Sequence, residues 1–150
     1  MTKQPVEIAI PKNKHPLIAS TKFGVMSTIR HSDGMISSNP VGYFWDGEII
    51  RISTLKSRVK YQNLLADSRV ALCIVNAGNV MDYIEIRGHA TLEDDPQRDF
   101  FRCQFMAGSG GVEPPEDIDP PGAERVIITI HPNRVSSPLL YGGRFDTPEK

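Results

Sequence analysis

The chain has few of the features that would assign it to a specialised class of protein. It contains two cysteines, Cys73 and Cys103, among 150 residues, and their separation fits neither a metal-binding motif nor a redox pair. No apolar run approaches the roughly 20 residues that a membrane-spanning helix requires. The first ten residues, MTKQPVEIAI, lack the apolar core of a signal peptide. A reduced, cytoplasmic protein without a membrane span is therefore expected.

An excess of charge of one sign is also missing. The net charge is −1, so the chain as a whole is not steered toward nucleic acid and no nucleic-acid partner is expected. The charges are unevenly distributed, because residues 1–60 hold nine Lys or Arg against four Asp or Glu, whereas residues 61–150 hold eight against fourteen. The first part of the chain is therefore the better place to look for an anion site.

Histidines are few and scattered. None of the four lies near an Asp or a Cys at a spacing typical of a catalytic triad or a zinc site; they are His15, His31, His89 and His131. Neither a triad nor a metal site is predicted.

What the sequence does contain is a series of strand patterns. Segments in which apolar residues alternate with polar ones, or form short continuous runs, predict about six strands; they cover 23–30, 35–45, 47–54, 69–76, 80–94 and 124–132. The first three are expected to form an antiparallel meander. Gly88 predicts a bulge in the long fifth strand. The pattern favours one mainly β domain over residues 1–150, a small antiparallel barrel with a few helices.

Helices and irregular segments fill the gaps between these strands. An irregular arm is expected over 1–16 and a short helix over 17–22, because prolines interrupt the first residues. A second helix follows the third strand. A third helix is expected to use Asp95 as its N-cap and Pro96 as its first residue. The Pro/Gly-rich acidic loop 108–122 is predicted to be a lid or an ordered surface excursion.

The most informative stretch is 47–67, where a strand passes directly into an amphipathic helix. Ser57 is the expected N-cap. Lys56, Arg58 and Lys60 gather at the helix start, where the dipole makes each cation unfavourable by roughly 0.3–1 kcal/mol. A bound phosphate would reverse that cost. Spacing alone does not distinguish this phosphate site from a solvated basic surface.

The motif K-x-R-x-K-x-x-N-L over 56–64, followed by D-x-R over 67–69, carries a family resemblance. Together with SNPVGYFWDG over 38–47 and EIRGHATLEDD over 85–95, it resembles the split-barrel flavin-binding superfamily related to pyridoxamine 5'-phosphate oxidase. More narrowly, it is similar to the deazaflavin (F420)-dependent oxidoreductase branch. The similarity covers roughly residues 17–135. It implies a six- to seven-stranded antiparallel split barrel and a homodimer with the cofactor in a groove between subunits.

The resemblance also implies a set of cofactor-binding residues. Arg58 and Lys60 match the phosphate ligands, and Asn63 supports the same side. The segments that face the ring and the phosphate are Ser38, Asn39, Pro40 and Val41, and Ser53, Thr54, Leu55 and Lys56. The opposite subunit is expected to contribute Met81, Asp82 and Tyr83. Some relatives carry Trp where this chain has Met81, so no ring stacking is expected there.

The leading functional hypothesis is hydride transfer between reduced F420 and a small electron-poor organic substrate. The catalytic residues are not identified, although Lys56 or Tyr83 is a candidate to polarise a carbonyl or deliver a proton. One alternative is an FMN enzyme of the pyridoxamine-phosphate oxidase or flavin reductase type. Another is a non-catalytic protein that binds F420, flavin or haem. The physiological substrate is not predicted.

Overall fold

The structure is a computed structural model that describes residues 6–144. Seven strands and three α-helices follow one another along the chain, with short 3-10 turns at Lys12–Lys14 and Leu140–Gly143. The elements are α1 (His15–Thr21), β1 (Phe23–Ile29), β2 (Ile36–Gly42), β3 (Phe44–Trp45), β4 (Ile50–Leu55), α2 (Val59–Ala66), β5 (Arg69–Asn76), β6 (Asn79–Asp94), α3 (Asp99–Gly108) and β7 (Arg125–Ser136). No helix within residues 6–144 is long and apolar enough to cross a membrane.

All seven strands belong to one antiparallel sheet with the order β2-β1-β5-β6-β7-β4-β3. The two end strands, β2 and β3, are separated in the chain by Tyr43 alone. The sheet must therefore curl until its ends meet, which confirms the predicted mainly β, split-barrel fold. Tyr43 is buried at this meeting point, where its hydroxyl donates to the Ile18 carbonyl (2.6 Å) and accepts from the Lys22 N–H (3.0 Å).

The predicted meander of the first three strands is right in part, since its second strand contacts both neighbours but through two separate strands, β2 and β3. β1 and β2 do pair, but β4 pairs with β7 on one side and with the short β3 on the other. The expected strand 35–45 breaks at Tyr43, because the chain there passes from one end of the curled sheet to the other. Pro40 lies in the end strand β2, where its missing N–H costs no ladder hydrogen bond on the unpaired side.

The core forms inside the curl from the inward-facing residues of the strands. Met26, Leu72, Ile86 and Ile128 are all essentially inaccessible to solvent, and each such buried side chain contributes roughly 1.5–3 kcal/mol. Leu17 and Ile18 add the apolar side of α1 to the same core. The alternation that predicts the strands is therefore the alternation between core and surface.

Two helix starts differ from the sequence prediction. α2 begins after Arg58, which is extended (φ −78°, ψ 143°), so Ser57 is not the N-cap, and no side chain caps this helix. α3 begins at Asp99 rather than at Pro96. Asp95 still serves this helix, because its carboxylate accepts the N–H groups of Phe100 (3.3 Å) and Phe101 (2.9 Å). α1 is confirmed with slightly earlier bounds.

The bulge predicted at Gly88 is confirmed. The register between β6 and β7 shifts between Arg87 and Gly88. A Cβ atom at Gly88 would lie 2.0 Å from the His131 carbonyl oxygen, which is far inside van der Waals contact. The two long strands can approach this closely only because position 88 has no side chain.

Gly88→Ala is expected to lower the free energy of unfolding by at least about 2 kcal/mol, because the backbone of β7 must move to admit the methyl group. Urea unfolding followed by far-UV circular dichroism measures the change. Gly78→Ala is the matched control, since its Cβ would meet only the Asn76 side chain at 3.5 Å. Equal stability of the two variants would show that the close approach at Gly88 is unimportant.

Candidate cofactor site

The junction between β4 and α2 is held by backbone hydrogen bonds that leave the helix start open. The Lys56 N–H donates to the Glu124 carbonyl (3.0 Å), and the Arg58 N–H donates to the Leu55 carbonyl (3.0 Å). Within the described chain, the N–H groups of Val59 and Lys60 have no acceptor. Unpaired N–H groups at a helix start form a ready site for an anion.

The three cations at this junction differ in their partners. The Lys56 ammonium lies 3.2 Å from an Asp94 oxygen and 3.7 Å from a Glu124 oxygen. The hydrogen bond to Asp94 is the main cause of a raised Lys56 pKa. Arg58 and Lys60 have no carboxylate within ion-pair distance among residues 6–144. The charge available for an external anion is therefore that of two side chains, not three.

Lys60 shows the consequence of this arrangement. Its pKa is lowered. Burial is the larger cause, and repulsion from Arg58 is the smaller one. A second positive charge and partial removal from water both disfavour its protonated form. An anion bound between Arg58 and Lys60 would offset the repulsion and favour the protonated form of Lys60, so the pair is suited to bind one.

A gap in the sheet lies beside this junction. β3 pairs with β4 in the register Phe44 to Arg51 and Trp45 to Ile50, and no ladder joins β2 to β4 in the part of the chain that the structure describes. Continuing the observed register past Tyr43 would set Val41 across from Thr54 and Asn39 across from Lys56. The gap between the unpaired strands β2 and β4 is the split. The two segments predicted to face the ring, 38–41 and 53–56, both border it.

Gln104 of α3 marks one end of this split. Its side-chain oxygen accepts the Ser53 N–H at 2.8 Å, and its side-chain nitrogen lies 3.4 Å from where a Cβ of Gly42 would be. Gln104 therefore occupies the place where a β2–β4 hydrogen bond would otherwise form. The sequence analysis missed this residue, because a single polar position on an amphipathic helix gives no signal of its own.

The predicted ring-facing residues present different groups to the split. Val41, Thr54 and Leu55 are buried, so they shape the barrel wall, and their side chains are not displayed to solvent. Ser38 is exposed and shares a 2.7 Å hydrogen bond with the Ser27 hydroxyl. The remaining members are exposed or half-buried, namely Asn39, Pro40, Ser53 and Lys56.

Asn63 acts inside the protein. Its side chain is 1% exposed, and its oxygen accepts both the backbone N–H (3.1 Å) and Nδ1–H (2.9 Å) of His31. Its nitrogen donates to the Thr28 hydroxyl at 3.0 Å. These bonds fasten α2 to the end of β1 and to the following turn. Asn63 is thus placed to support the junction from inside the protein.

Met81, Asp82 and Tyr83 lie far from the junction within one protomer. β6 brings Asp94 to Lys56 at one end, whereas Met81 lies thirteen residues earlier in the same strand, up to about 40 Å away in an extended chain. Asp82 also forms an ion pair with Lys14 at 2.8 Å. One protomer therefore does not bring the two predicted halves of the site together.

The acidic loop 108–122 is anchored by an ion pair that the sequence analysis did not foresee. Arg125 donates to both oxygens of Asp119 (2.8 and 2.6 Å), and its guanidinium lies 3.7 Å from the centre of the Phe101 ring. Asp119 is buried. The hydrogen bond from Arg125 holds the pKa of Asp119 below its ordinary value despite burial.

Metal and disulfide chemistry have no structural support here. Among residues 6–144 no cluster of His, Cys, Asp or Glu is arranged to hold a metal ion. Cys73 and Cys103 are free thiols, and burial is the main cause of a raised Cys73 pKa. A raised pKa leaves the thiol protonated and poorly nucleophilic.

A family model described as pyridoxamine 5'-phosphate oxidase matches residues 10–137. The chain belongs to the pyridoxamine 5'-phosphate oxidase family. The match includes the split, the β4–α2 junction and all fourteen predicted cofactor-binding residues, which lie between Ser38 and Tyr83. The family resemblance predicted from the motif at 56–64 is thereby confirmed.

Solved structures of this pyridoxamine 5'-phosphate oxidase fold are similar over most of the chain. A protein titled F420 reductase is 30% identical with a TM-score of 0.74, and the match covers 86% of this chain and 100% of that one. A putative pyridoxamine 5'-phosphate oxidase from Listeria innocua is 16% identical (TM-score 0.61, 81% and 91% covered). The general stress protein 26 from Bacillus anthracis is 22% identical (TM-score 0.60, 80% and 86% covered). No curated protein matches the sequence.

Asp119→Asn is expected to cost about 3 kcal/mol of unfolding free energy near neutral pH, because it leaves the Arg125 guanidinium buried without its carboxylate. The pKa of Asp119 is lowered in the folded protein. The stabilisation is therefore complete above the unfolded-state pKa of about 3.9 and is lost as the pH falls through the folded-state pKa. The stability difference between wild type and variant should shrink below about pH 4.

Urea unfolding of both proteins, from neutral pH down to about pH 2.5, measures this difference. Asp117→Asn is the control, since Asp117 lies in the same loop and is exposed. A difference between wild type and Asp119→Asn that stayed constant through the acid range would contradict an ionised Asp119 as the source of the stabilisation.

Proposed function

We propose that this protein is an oxidoreductase that binds the deazaflavin coenzyme F420 and uses it in hydride transfer to a small electron-poor organic substrate. The observation that carries the proposal is the start of α2. Arg58 and Lys60 lack carboxylate partners among the described residues, and they flank backbone N–H groups without acceptors. Such an arrangement is stabilised by a phosphate group.

The choice of F420 over FMN depends on charge and on similarity. F420 carries carboxylates in its tail beyond its phosphate, and residues 1–60 have an excess of positive charge that would attract such a tail. The neighbour with 30% identity is titled an F420 reductase. FMN binding is the second candidate, favoured by the name of the family whose model matches the chain.

The ring of the cofactor is assigned to the split between β2 and β4. Ser38–Val41 and Ser53–Lys56 border this split, and no ladder pairs these two segments with each other. The bound ring supplies the hydride chemistry, so the chain needs to bind it, orient it and exclude water. The buried residues Thr54 and Leu55 hold β4 in place beside the split.

Lys56 is better fitted to hold charge than to release a proton. Its pKa is raised by Asp94, so its ammonium stays protonated at neutral pH and can stabilise negative charge on a neighbouring oxygen. Tyr83 remains a candidate proton donor from the opposite subunit. Neither role is needed for the cofactor to bind, and a non-catalytic carrier of the cofactor would have the same junction.

A homodimer is part of the proposal because of the outward face of the sheet. On this face Phe23, Val25 and Ile36 are 66%, 45% and 72% exposed, and Val25 lies between Pro40 on β2 and Cys73 on β5. A second copy covering this apolar surface would supply Met81, Asp82 and Tyr83 across the interface. That arrangement would complete a site whose halves are far apart within one chain.

Titration of the purified protein with F420 and with FMN should show tighter binding of F420. Cofactor fluorescence and the thermal midpoint are the measurements, because ligand binding to the folded state raises the midpoint. A preference for FMN would establish the second candidate instead. Tight F420 binding without turnover of any electron-poor acceptor by the reduced coenzyme would identify a carrier.

Arg58→Ala combined with Lys60→Ala is expected to weaken F420 binding by about a hundredfold or more, because each charge-assisted hydrogen bond to phosphate contributes roughly 1.5–3 kcal/mol. The loss should be larger at low salt, where charges are least screened. Lys12→Ala combined with Arg144→Ala is the control, since both positions are exposed. Unchanged affinity in the first double variant would place the phosphate elsewhere.

A further inference from the structure

A cavity of about 500 Å³ lies between α3, the end of α1 and the outer side of the strands near Tyr43. Its volume falls within the range of small-molecule sites. Aromatic rings form much of its wall, and they belong to Phe23, Phe44, Trp45, Phe101 and Phe105. Small residues leave space at its rim, including Ala19 and Ala107. The wall is therefore shaped for the faces and edges of a planar apolar molecule.

Gln104 supplies a fixed hydrogen-bond donor to this cavity. Its side-chain oxygen is already used by the Ser53 N–H at 2.8 Å, which determines the orientation of the amide. Its side-chain nitrogen has no acceptor among residues 6–144. A ligand with a carbonyl oxygen would satisfy this half-buried N–H₂ group, which gains more from a partner than an exposed amide would.

Lys22 supplies an uncompensated positive charge. Its ammonium donates to the Ala107 carbonyl at 3.2 Å, and no carboxylate lies within ion-pair distance in the described part of the chain. Arg125, which also lines the cavity, is neutralised by Asp119. Lys22 is exposed, so its free charge lies at the rim and favours a ligand with a carboxylate at that end.

The cavity adjoins the split described above. Gly42 and Ser53 line it, and the next residues along the two strands are Val41 and Thr54, which border the proposed ring site. A molecule that reaches Gln104 therefore lies beside the place assigned to the ring. Its carbonyl end would face the split, and its carboxylate end would face Lys22.

We infer that this cavity binds an apolar aromatic carboxylate that presents a carbonyl oxygen to Gln104 and its carboxylate to Lys22. Binding of such a molecule follows from the cavity alone. That the bound molecule is the substrate rests on the proposed function. Gln104 and Lys22 are then the residues that determine specificity, one for each polar group of the ligand.

The test uses three matched probes and the purified protein without any cofactor, measured by calorimetry. The probes are 6-acetyl-2-naphthoate, 2-acetylnaphthalene, which lacks the carboxylate, and 2-naphthoate, which lacks the carbonyl. The probe with both groups should bind the most tightly. Ala107→Trp should abolish its binding, because the indole would fill the rim of the cavity.

Two variants test the Gln104 donor and the Lys22 charge separately. Gln104→Glu keeps an acceptor for the Ser53 N–H but removes the donor, so it should weaken 2-acetylnaphthalene about tenfold. Lys22→Met should weaken 2-naphthoate about tenfold and leave 2-acetylnaphthalene unchanged. Gln97→Glu and Lys12→Met make the same exchanges at exposed positions outside the cavity, and they should change nothing.

Retained binding in Ala107→Trp, or equal losses for all three probes in both end variants, would overturn the inference. Because no cofactor is present, this failure would leave the F420 titration untouched. Conversely, if the protein binds the probes but neither F420 nor FMN, the inference about the cavity stands and the proposed function is wrong.

Discussion

The structure depends on how its sheet closes. One residue, Tyr43, connects the two ends of the sheet, and its buried hydroxyl ties that point to α1 through Ile18 and Lys22. β3 continues from this connection into a ladder with β4, whereas β2 pairs with β1 and forms no ladder with β4. The sheet is therefore joined at Tyr43 and split between β2 and β4.

The three cations at the β4–α2 junction differ in whether their charge is paired within the chain. Lys56 is engaged by Asp94 and Glu124 from the neighbouring strands, which fixes the end of β4 but uses its charge internally. Arg58 and Lys60 have no such partners among the described residues, and the repulsion between them contributes to the lowered Lys60 pKa. A single junction thus combines one cation that is paired within the chain with two that have no carboxylate partner among the described residues.

Much of this arrangement could be predicted from the sequence, because its signals are local. The alternation in β1, β4 and β7 reflects which side chains face the core, and Gly88 marks its bulge without any knowledge of the partner strand. The basic motif at 56–64 likewise lies within nine consecutive residues. These features depend on neighbouring residues, so the pattern of the residues reveals them.

What the sequence could not reveal depends on contacts between distant segments. Nothing near Lys56 indicates that Asp94 will neutralise it, and nothing near Ile52 indicates that its neighbour is Ile128 on β7 rather than a residue of β2. The N-cap of α2 falls at Arg58 because the Arg58 N–H bonds back to Leu55, a turn that the preference of Ser57 for caps does not anticipate. Asn63 is polar, yet tertiary packing buries it.

The same long-range contacts link the two candidate ligand sites. Arg125 begins β7, donates to Ser53 at 3.4 Å and holds the loop 108–122 through Asp119. Gln104, on the helix before that loop, accepts the backbone N–H of the same Ser53. Ser53 therefore fixes the position of the split relative to the aromatic cavity. A change in the anchoring of the loop would reach both candidate sites through this one residue, although the loop lies outside the barrel.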